Sequence, residues 1–283
     1  MSRRVLVTGG ASGLGRALAV RYAALGARVV VADLDPPERP VASGVESLRL
    51  DVRSEEEWRA AREWCEREWG GLDVLVNNAG VAAAGRIERL EAADWDWILD
   101  INLRGTVNGC RVFVPLLKEQ RAGHLVNIAS LAGLMNLPGM ASYNVSKAAV
   151  ISLSDTLRHE LAPYGVSTSV VCPGFVPTNL GAGLRSPDPV LAASAERMIR
   201  NGSVTPEQLA ETVVAAVDRG RFLVHTHREG RVAAALKRFV PPLADRPIRR
   251  AWQRTRAKLD AHDRDERRSS AAEREEKKGG DAR

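Results

Sequence analysis

A tyrosine and a lysine stand four residues apart in "YNVSK", residues 143–147. Four residues is about one helical turn, so on a helix Tyr143 and Lys147 leave the same face. A free phenol ionises near pH 10, too high for a base at neutral pH. A fixed positive charge about 5 Å away, at an effective dielectric near 20, favours the phenolate by roughly 3 kcal/mol, or about two pK units. Such a pair can pass a proton to or from an oxygen near neutrality. An exposed pair with no task is the plain alternative, so the surrounding chain must decide.

A second group with chemical meaning opens the chain. In "TGGASGLG", Gly9, Gly13 and Gly15 are spaced G-x-x-x-G-x-G. Glycines between a strand and a helix let backbone approach a pyrophosphate at the helix N-terminus. The spacing differs from the common G-x-G-x-x-G fingerprint. Asp33 ends the next apolar run, where a carboxylate accepts hydrogen bonds from the adenosine ribose hydroxyls of NAD and repels the extra phosphate of NADP. Ser12 offers that phosphate no cation, although Arg16 lies just beyond. A turn residue before Pro36–Pro37 is the alternative for Asp33.

The elements that must hold these residues alternate. "RRVLVTGG", "ARVVVADLD", "SLRLDV", "LDVLVNNAG", "GHLVNIAS", "VSTSVVCPG" and "RFLVHT" read as strands, apolar on both faces. Helices lie between them: "LGRALAVRYAALGA" closing at Gly26, "SEEEWRAAREWCEREWG" with Ser54 as N-cap and Glu57 at the capping-box position, a long helical region from about Ala92 to Gln120, "ASYNVSKAAVISLSDTLRHELAPYG", and "TPEQLAETVVAAVDRG". Alternation with doubly apolar strands predicts an α/β fold, a single-domain Rossmann-like doubly wound parallel sheet with helices on both faces. The six tryptophans fall on helical faces and read as packing residues.

Composition sorts the chain into three parts. The 283 residues are 45% hydrophobic and 27% charged, enough for one large core. Residues 1–218 hold 22 Lys/Arg against 25 Asp/Glu, residues 219–257 hold 11 against 2, and residues 258–283 hold 8 of each. The net charge of +6 thus belongs to one C-terminal segment, which argues against a nucleic-acid-binding body. The expected layout is a cofactor-binding and catalytic domain over 1–225, a basic amphipathic extension over 226–257 and a disordered charged tail over 258–283. No apolar run spans a bilayer and the N-terminus has no signal-peptide core, so a cytoplasmic protein is expected. Cys65, Cys110 and Cys172 show neither metal nor disulfide spacing and read as buried free thiols; no metal is expected.

Taken in order, "TGGASGLG", "NNAG" at 77–80, Asn102, Ser130, "YNVSK" and "PG" at 173–174 resemble the short-chain dehydrogenase/reductase family over roughly residues 4–224. The resemblance implies Asn102, Ser130, Tyr143 and Lys147 as the catalytic set. Tyr143 would be the general acid/base and Lys147 would tune it and hold the nicotinamide ribose. Ser130 would bond the substrate oxygen and Asn102 would hold a water in a proton relay. It also implies a cofactor site of Gly9, Ser12, Gly13, Leu14, Gly15, Asp33, Asp51, Val52, Asn78, Ala79, Gly80, Pro173, Gly174, Val176 and Thr178, with Tyr143 and Lys147. Asn77 reads equally as a strand-bridging amide.

The expected activity is an NAD(H)-dependent oxidoreductase, NAD in preference to NADP, acting on a hydrophobic secondary alcohol or ketone. The substrate class rests on the apolar set Leu131, Met135, Leu137, Met140, Leu180 and Leu184, under a mobile lid at 178–203 made flexible by "GAG". Alternatives are an NADP(H)-dependent carbonyl reductase, a non-catalytic dinucleotide sensor, and an epimerase or dehydratase using the same tyrosine. A homodimer or homotetramer is expected through helices 92–120 and 141–162. In the basic extension Val232, Leu236, Phe239, Val240 and Leu243 form a helix face, and Ile248 and Trp252 a second. Packing on the body or across a dimer is one reading of them, a weak membrane-surface contact the other, and nucleic acid is not expected.

Overall fold

The computed structural model describes residues 2–181, 183–226 and 228–280, with backbone alone at 228, 229 and 270–280. Seven strands form one parallel sheet in the order β3-β2-β1-β4-β5-β6-β7. They are β1 (Arg4–Thr8), β2 (Arg28–Asp33), β3 (Val45–Arg49), β4 (Val74–Asn77), β5 (Gly123–Ile128), β6 (Val166–Cys172) and β7 (Leu223–His225). The helices are α1 (Gly13–Ala24), α2 (Glu55–Trp69), α3 (Ala92–Leu99), α4 (Gly105–Gln120), α5 (Ala132–Met135), α6 (Ala141–Leu161), α7 (Pro189–Arg200), α8 (Pro206–Asp218), α9 (Arg228–Phe239) and α10 (Pro241–Gly280).

The sheet is covered on both faces, as its doubly apolar strands require. On one side α1 and α8 bury Leu18, Tyr22, Leu209 and Val213 against Val5, Val29 and Val31. On the other, α2 and α4 bury Trp58, Cys65, Phe113 and Leu117 against Leu6, Val30 and Leu75. Ser54 caps α2 by accepting the Glu57 N–H at 3.2 Å, but the Glu57 carboxylate bonds the Asp51 N–H at 2.7 Å. The expected capping box is therefore half made, and its acid stiffens the loop after β3. Gly70, in the left-handed region at φ 69°, ends α2.

The long helical region over 92–120 is interrupted by one π turn, Asp100–Arg104, which joins α3 to α4 and contains Asn102. Inside the expected lid, residues 189–200 are helical; the "GAG" assigned there includes Ala182, outside the described residues. Among the described residues, no helix is long and apolar enough to cross a membrane.

Over the tail expected to be disordered, 258–283, α10 runs as far as Gly280. α10 begins at Pro241, where proline is tolerated because first-turn N–H groups lack helical partners, and runs on through the charged stretch. Leu259 is 1% exposed, and Leu259 and Trp252 join the cluster of Ile98, Met140 and Tyr143. Asp263 pairs with Arg86 and Arg89. A sequence poor in apolar residues is held here by two large side chains and by charges from a distant loop. Residues 281–283 lie outside the described residues.

Candidate active site

The strand order reverses between β1 and β4, and the crevice beyond their C-terminal ends is where open α/β sheets take ligands. A groove of about 580 Å³ lies there. One threonine organises its floor. Thr8 Oγ1 accepts the Asn78 and Ala79 N–H groups at 3.0 and 3.1 Å, and Asn78 Nδ2 returns to Thr8 O at 2.8 Å. The glycine loop and the "NNAG" loop are thus fixed to each other.

The loop glycines divide their tasks. Gly9 and Gly13 have φ of 62° and 52°, where a side chain is strained. A Cβ on Gly13 would lie 3.2 Å from Thr178 Cβ and narrow the groove, whereas one on Gly15 would stand 2.2 Å from Gly9 O. Gly15 therefore packs beneath the loop and does not line the groove. At the start of α1, the Ser12 side chain makes no capping bond and the first turn has no acid. Those N–H groups are open to an anion, as a pyrophosphate at a helix N-terminus requires. Asp33 stands at the same end and accepts the Ala11 N–H at 3.0 Å. The residues present fit a dinucleotide.

Ser12, Leu14, Asp33, Asp51, Val52, Asn78, Ala79, Gly80, Pro173, Gly174, Val176 and Thr178 line the groove with Gly9 and Gly13, and Ser130, Tyr143 and Lys147 stand in its wall. Asp51 is paired with Arg53, Nη2 to Oδ2 at 2.6 Å, which holds its carboxyl below the usual range. Arg53, Trp97 and Arg185 also line the groove and were not singled out from sequence; no motif marks them.

Tyr143 is buried beside the Ser130 side chain. Burial raises its phenol above the ordinary value, and the Ser130 hydroxyl pulls it back. Lys147 does not add the lowering expected of it. Lys147 Nζ donates to Ile128 O at 3.0 Å and lies 6.0 Å from the centre of the Tyr143 ring. Burial pulls Lys147 down to about 8. Gly80 makes room beside it, since a Cβ there would lie 3.0 Å from Asn102 Oδ1 and 3.3 Å from Lys147 Nζ.

Asn102 is fully buried, and its side chain does not line the groove. Its Oδ1 accepts the Val81 N–H at 2.8 Å, and its Nδ2 donates to Val81 O and Ser146 Oγ at 3.0 and 3.1 Å. The side chain thus braces the strand end behind the groove. Asn77 donates to Asn127 Oδ1 at 2.9 Å across β4 and β5, which makes it a strand-bridging amide.

A second cavity, about 210 Å³, adjoins the groove. Leu131, Met135, Leu137, Met140 and Leu180 line it as expected; Leu184 packs nearby in the same apolar cluster without lining it. Phe175, Ile199 from α7 and Ala233 from α9 complete the wall. Among the described residues, its side-chain polar groups are the hydroxyls of Ser130 and Tyr143, which both cavities share.

Residues 3–189 match the family model for short chain dehydrogenase. The chain is 34% identical over 254 residues to the probable oxidoreductase EphD of Mycobacterium tuberculosis, covering 84% of this chain and 43% of that protein. It therefore spans less than half the length of that relative. It is 32% identical over 252 residues to a CLA biosynthesis dehydrogenase/reductase of Lactiplantibacillus plantarum, covering 80% and 88% of the two chains. A short-chain dehydrogenase/reductase from Burkholderia phymatum, solved in complex with NAD, superposes with a TM-score of 0.79 at 32% identity, covering 86% of this chain and 95% of that one.

Proposed function

The chain belongs to the short-chain dehydrogenase/reductase family, and from that premise we propose that it is an NAD(H)-dependent oxidoreductase interconverting a hydrophobic secondary alcohol and its ketone. One observation carries this reading: the Ser130 and Tyr143 hydroxyls stand where the polar groove meets the small apolar cavity. A carbonyl placed between them has hydrogen-bond donors at its oxygen, the groove on one side and apolar walls around its substituents.

A nicotinamide cofactor held in the groove would supply the hydride in reduction and accept it in oxidation. Tyr143 gives a proton to the forming alkoxide in reduction and takes it back in oxidation. Ser130 holds the substrate oxygen against the phenol. Lys147, protonated below about pH 8, adds positive charge on that side and has donors free for a ribose hydroxyl. Asn102 keeps the Val81 backbone in place, and a relay water would share the Asn102 backbone carbonyl with the Thr106 hydroxyl, which donates to it at 3.0 Å. Asp33 binds the adenosine ribose, and this carboxylate, with no cation at position 12, favours NAD over NADP. The neighbour solved with NAD supports that choice. The apolar cavity favours ketones without charge, because a carboxylate or phosphate would be buried there with no cationic partner among the described residues of the wall. Pairing of α4 and α6 across a two-fold axis would give a homodimer or homotetramer, and light scattering tests that.

A screen of uncharged and anionic ketones and alcohols with NADH, NADPH, NAD and NADP, read at the nicotinamide absorbance band, tests the function. Turnover of uncharged apolar ketones with NADH, lost by Tyr143→Phe with NADH binding intact, is the expected result. A Tyr143→Phe enzyme with wild-type kcat would remove the tyrosine from its role.

A further inference from the structure

The C-terminal helices carry an amphipathic face turned away from the body. In α9, Gly230 is buried and Ala233 and Ala234 are half-buried, so the small residues pack inward. The large apolar residues stand in water: Val232 is 50% exposed, Leu236 38% and Phe239 76%, followed by Val240 at 40% and Leu243 at 51%. Bonds from Val240 N to Leu236 O and from Leu243 N to Val240 O, at 2.8 and 3.0 Å, carry the helical path across the junction with α10. The five side chains thus form one ridge. A contiguous exposed apolar ridge marks a surface that expects a partner.

α10 continues the arrangement with charge. Ala244, Ile248, Trp252 and Leu259 are its buried and half-buried side. At about 3.6 residues per turn, Leu243, Arg246, Arg250 and Arg254 fall on the opposite side, and all four are exposed. The apolar ridge of α9 therefore runs directly into a row of arginines.

We propose that this face docks the protein on an anionic lipid bilayer, with the apolar ridge among the headgroups and the arginines on lipid phosphates. Charge selects this partner over a second copy of the chain. Residues 219–257 hold 11 basic and 2 acidic residues. An isologous contact would set that excess against itself, whereas a negative bilayer surface complements it. Geometry adds a consequence: Val232 on the ridge is followed by Ala233 in the wall of the apolar cavity. If that cavity takes the substrate, as proposed above, the docked face lies against the route by which a lipid-dissolved ketone would enter. The docking itself does not rest on that reading, because it is measured without turnover.

The experiment is co-sedimentation of the full chain with phosphatidylcholine vesicles, with and without phosphatidylglycerol. Retention at least about tenfold stronger on anionic vesicles, falling as salt is raised, is expected. The double variant Leu236→Asp, Phe239→Asp should abolish retention, and Arg246→Glu, Arg250→Glu should reduce it about tenfold, with melting temperature and NADH affinity unchanged in both. The proposal is overturned by a wild-type chain that no vesicle retains, by equal retention on neutral vesicles, or by retention of folded variants at the wild-type level. It is also overturned if the chain binds duplex DNA and not vesicles, or if the Leu236→Asp, Phe239→Asp variant splits an oligomer that does not bind vesicles.

Discussion

Arg86 holds two carboxylates at once, with Nη2 2.7 Å from Asp188 Oδ1 and Nη1 2.7 Å from Asp263 Oδ2. Asp188 is the buried residue just before α7 and also accepts the Arg86 N–H at 2.8 Å; Asp263 lies far along α10. Arg89 joins the same pair, 2.6 Å from Asp263 Oδ1 and 3.5 Å from Asp188 Oδ1. The C-terminal helix is thereby fastened to the helix that supplies Ile199 to the apolar cavity.

Releasing Asp263 should loosen the cavity and leave the cofactor groove intact. For Asp263→Asn we expect faster amide exchange along α10 and a several-fold rise in KM for the ketone, with NADH affinity unchanged. Arg86→Met should be worse, destabilising by up to about 3 kcal/mol, because it takes from the buried Asp188 carboxylate its closer charge partner and leaves only Arg89, at 3.5 Å. The Arg86 hydrogen bonds hold the Asp263 carboxyl down at about 2. Its contribution is thus full above the ordinary carboxylate value near 4 and is lost as pH falls from about 4 towards 2. Relative to the intrinsic exchange rate at each pH, protection of the α10 amides should fall through that window in the wild type and change much less in Asp263→Asn.

Lys147 should weaken the fold while serving the site. Burial takes its ammonium from an ordinary 10.5 to about 8, a cost of roughly 3 kcal/mol to the folded chain at neutral pH. Losing the bond to Ile128 O gives back about 1–2 kcal/mol of that. Lys147→Met should therefore be up to about 2 kcal/mol more stable at pH 7 and nearly inactive. The sign is testable. The lysine is depressed, so its cost is present below pH 8 and relieved between about 8 and 10.5. Measured by thermal melts, the stability advantage of the variant should shrink across that interval. A variant less stable at pH 7 would mean that the ammonium is better satisfied than its single bond to Ile128 suggests.

Asp33 gives a cleaner contrast. Asp33→Ser should narrow the preference for NADH over NADPH by at least about tenfold in kcat/KM, through loss of the ribose bond and of the repulsion towards the extra phosphate. The Ala11 N–H that Asp33 accepts would lose its partner, so a small fall in melting temperature should accompany the change. A native enzyme that binds NADPH more tightly than NADH would overturn this assignment.

What the sequence made legible follows from range. The strands, glycine loop, Asp33 and the Tyr143–Lys147 pair are local patterns, read from spacings of a few residues and from doubly apolar runs. Leu259 and Asp263 were illegible because a lone leucine and a lone acid in a charged stretch look solvated. Their partners, Arg86, Arg89 and the cluster around Ile98 and Met140, lie more than 100 residues earlier. Asn102 was placed by position in the chain, yet its side chain serves the backbone of Val81, a contact that no pattern encodes. The apolar face of α9 was legible as a face; that it turns outward depends on alanines packing inward, which periodicity does not rank.

If the apolar cavity takes the substrate, as proposed, Ala233 limits how large a substrate it admits. It is half-buried on α9 and reaches a cavity of about 210 Å³, below the roughly 300–1,000 Å³ of common ligand sites. A phenyl ring there would take up much of the remaining space, and tightly packed surroundings do not yield cheaply. Ala233→Phe should therefore lower kcat/KM for bulky apolar ketones by about 10- to 100-fold. It should change the smallest accepted ketone by less than about threefold and leave NADH affinity alone. Ala233→Gly should act in the opposite direction on the largest substrates. Equal losses for small and large ketones would show general damage to α9, and no loss for either would place the substrate elsewhere. The comparison of kcat/KM across a ketone series of increasing bulk, for the wild type and both variants, separates these outcomes.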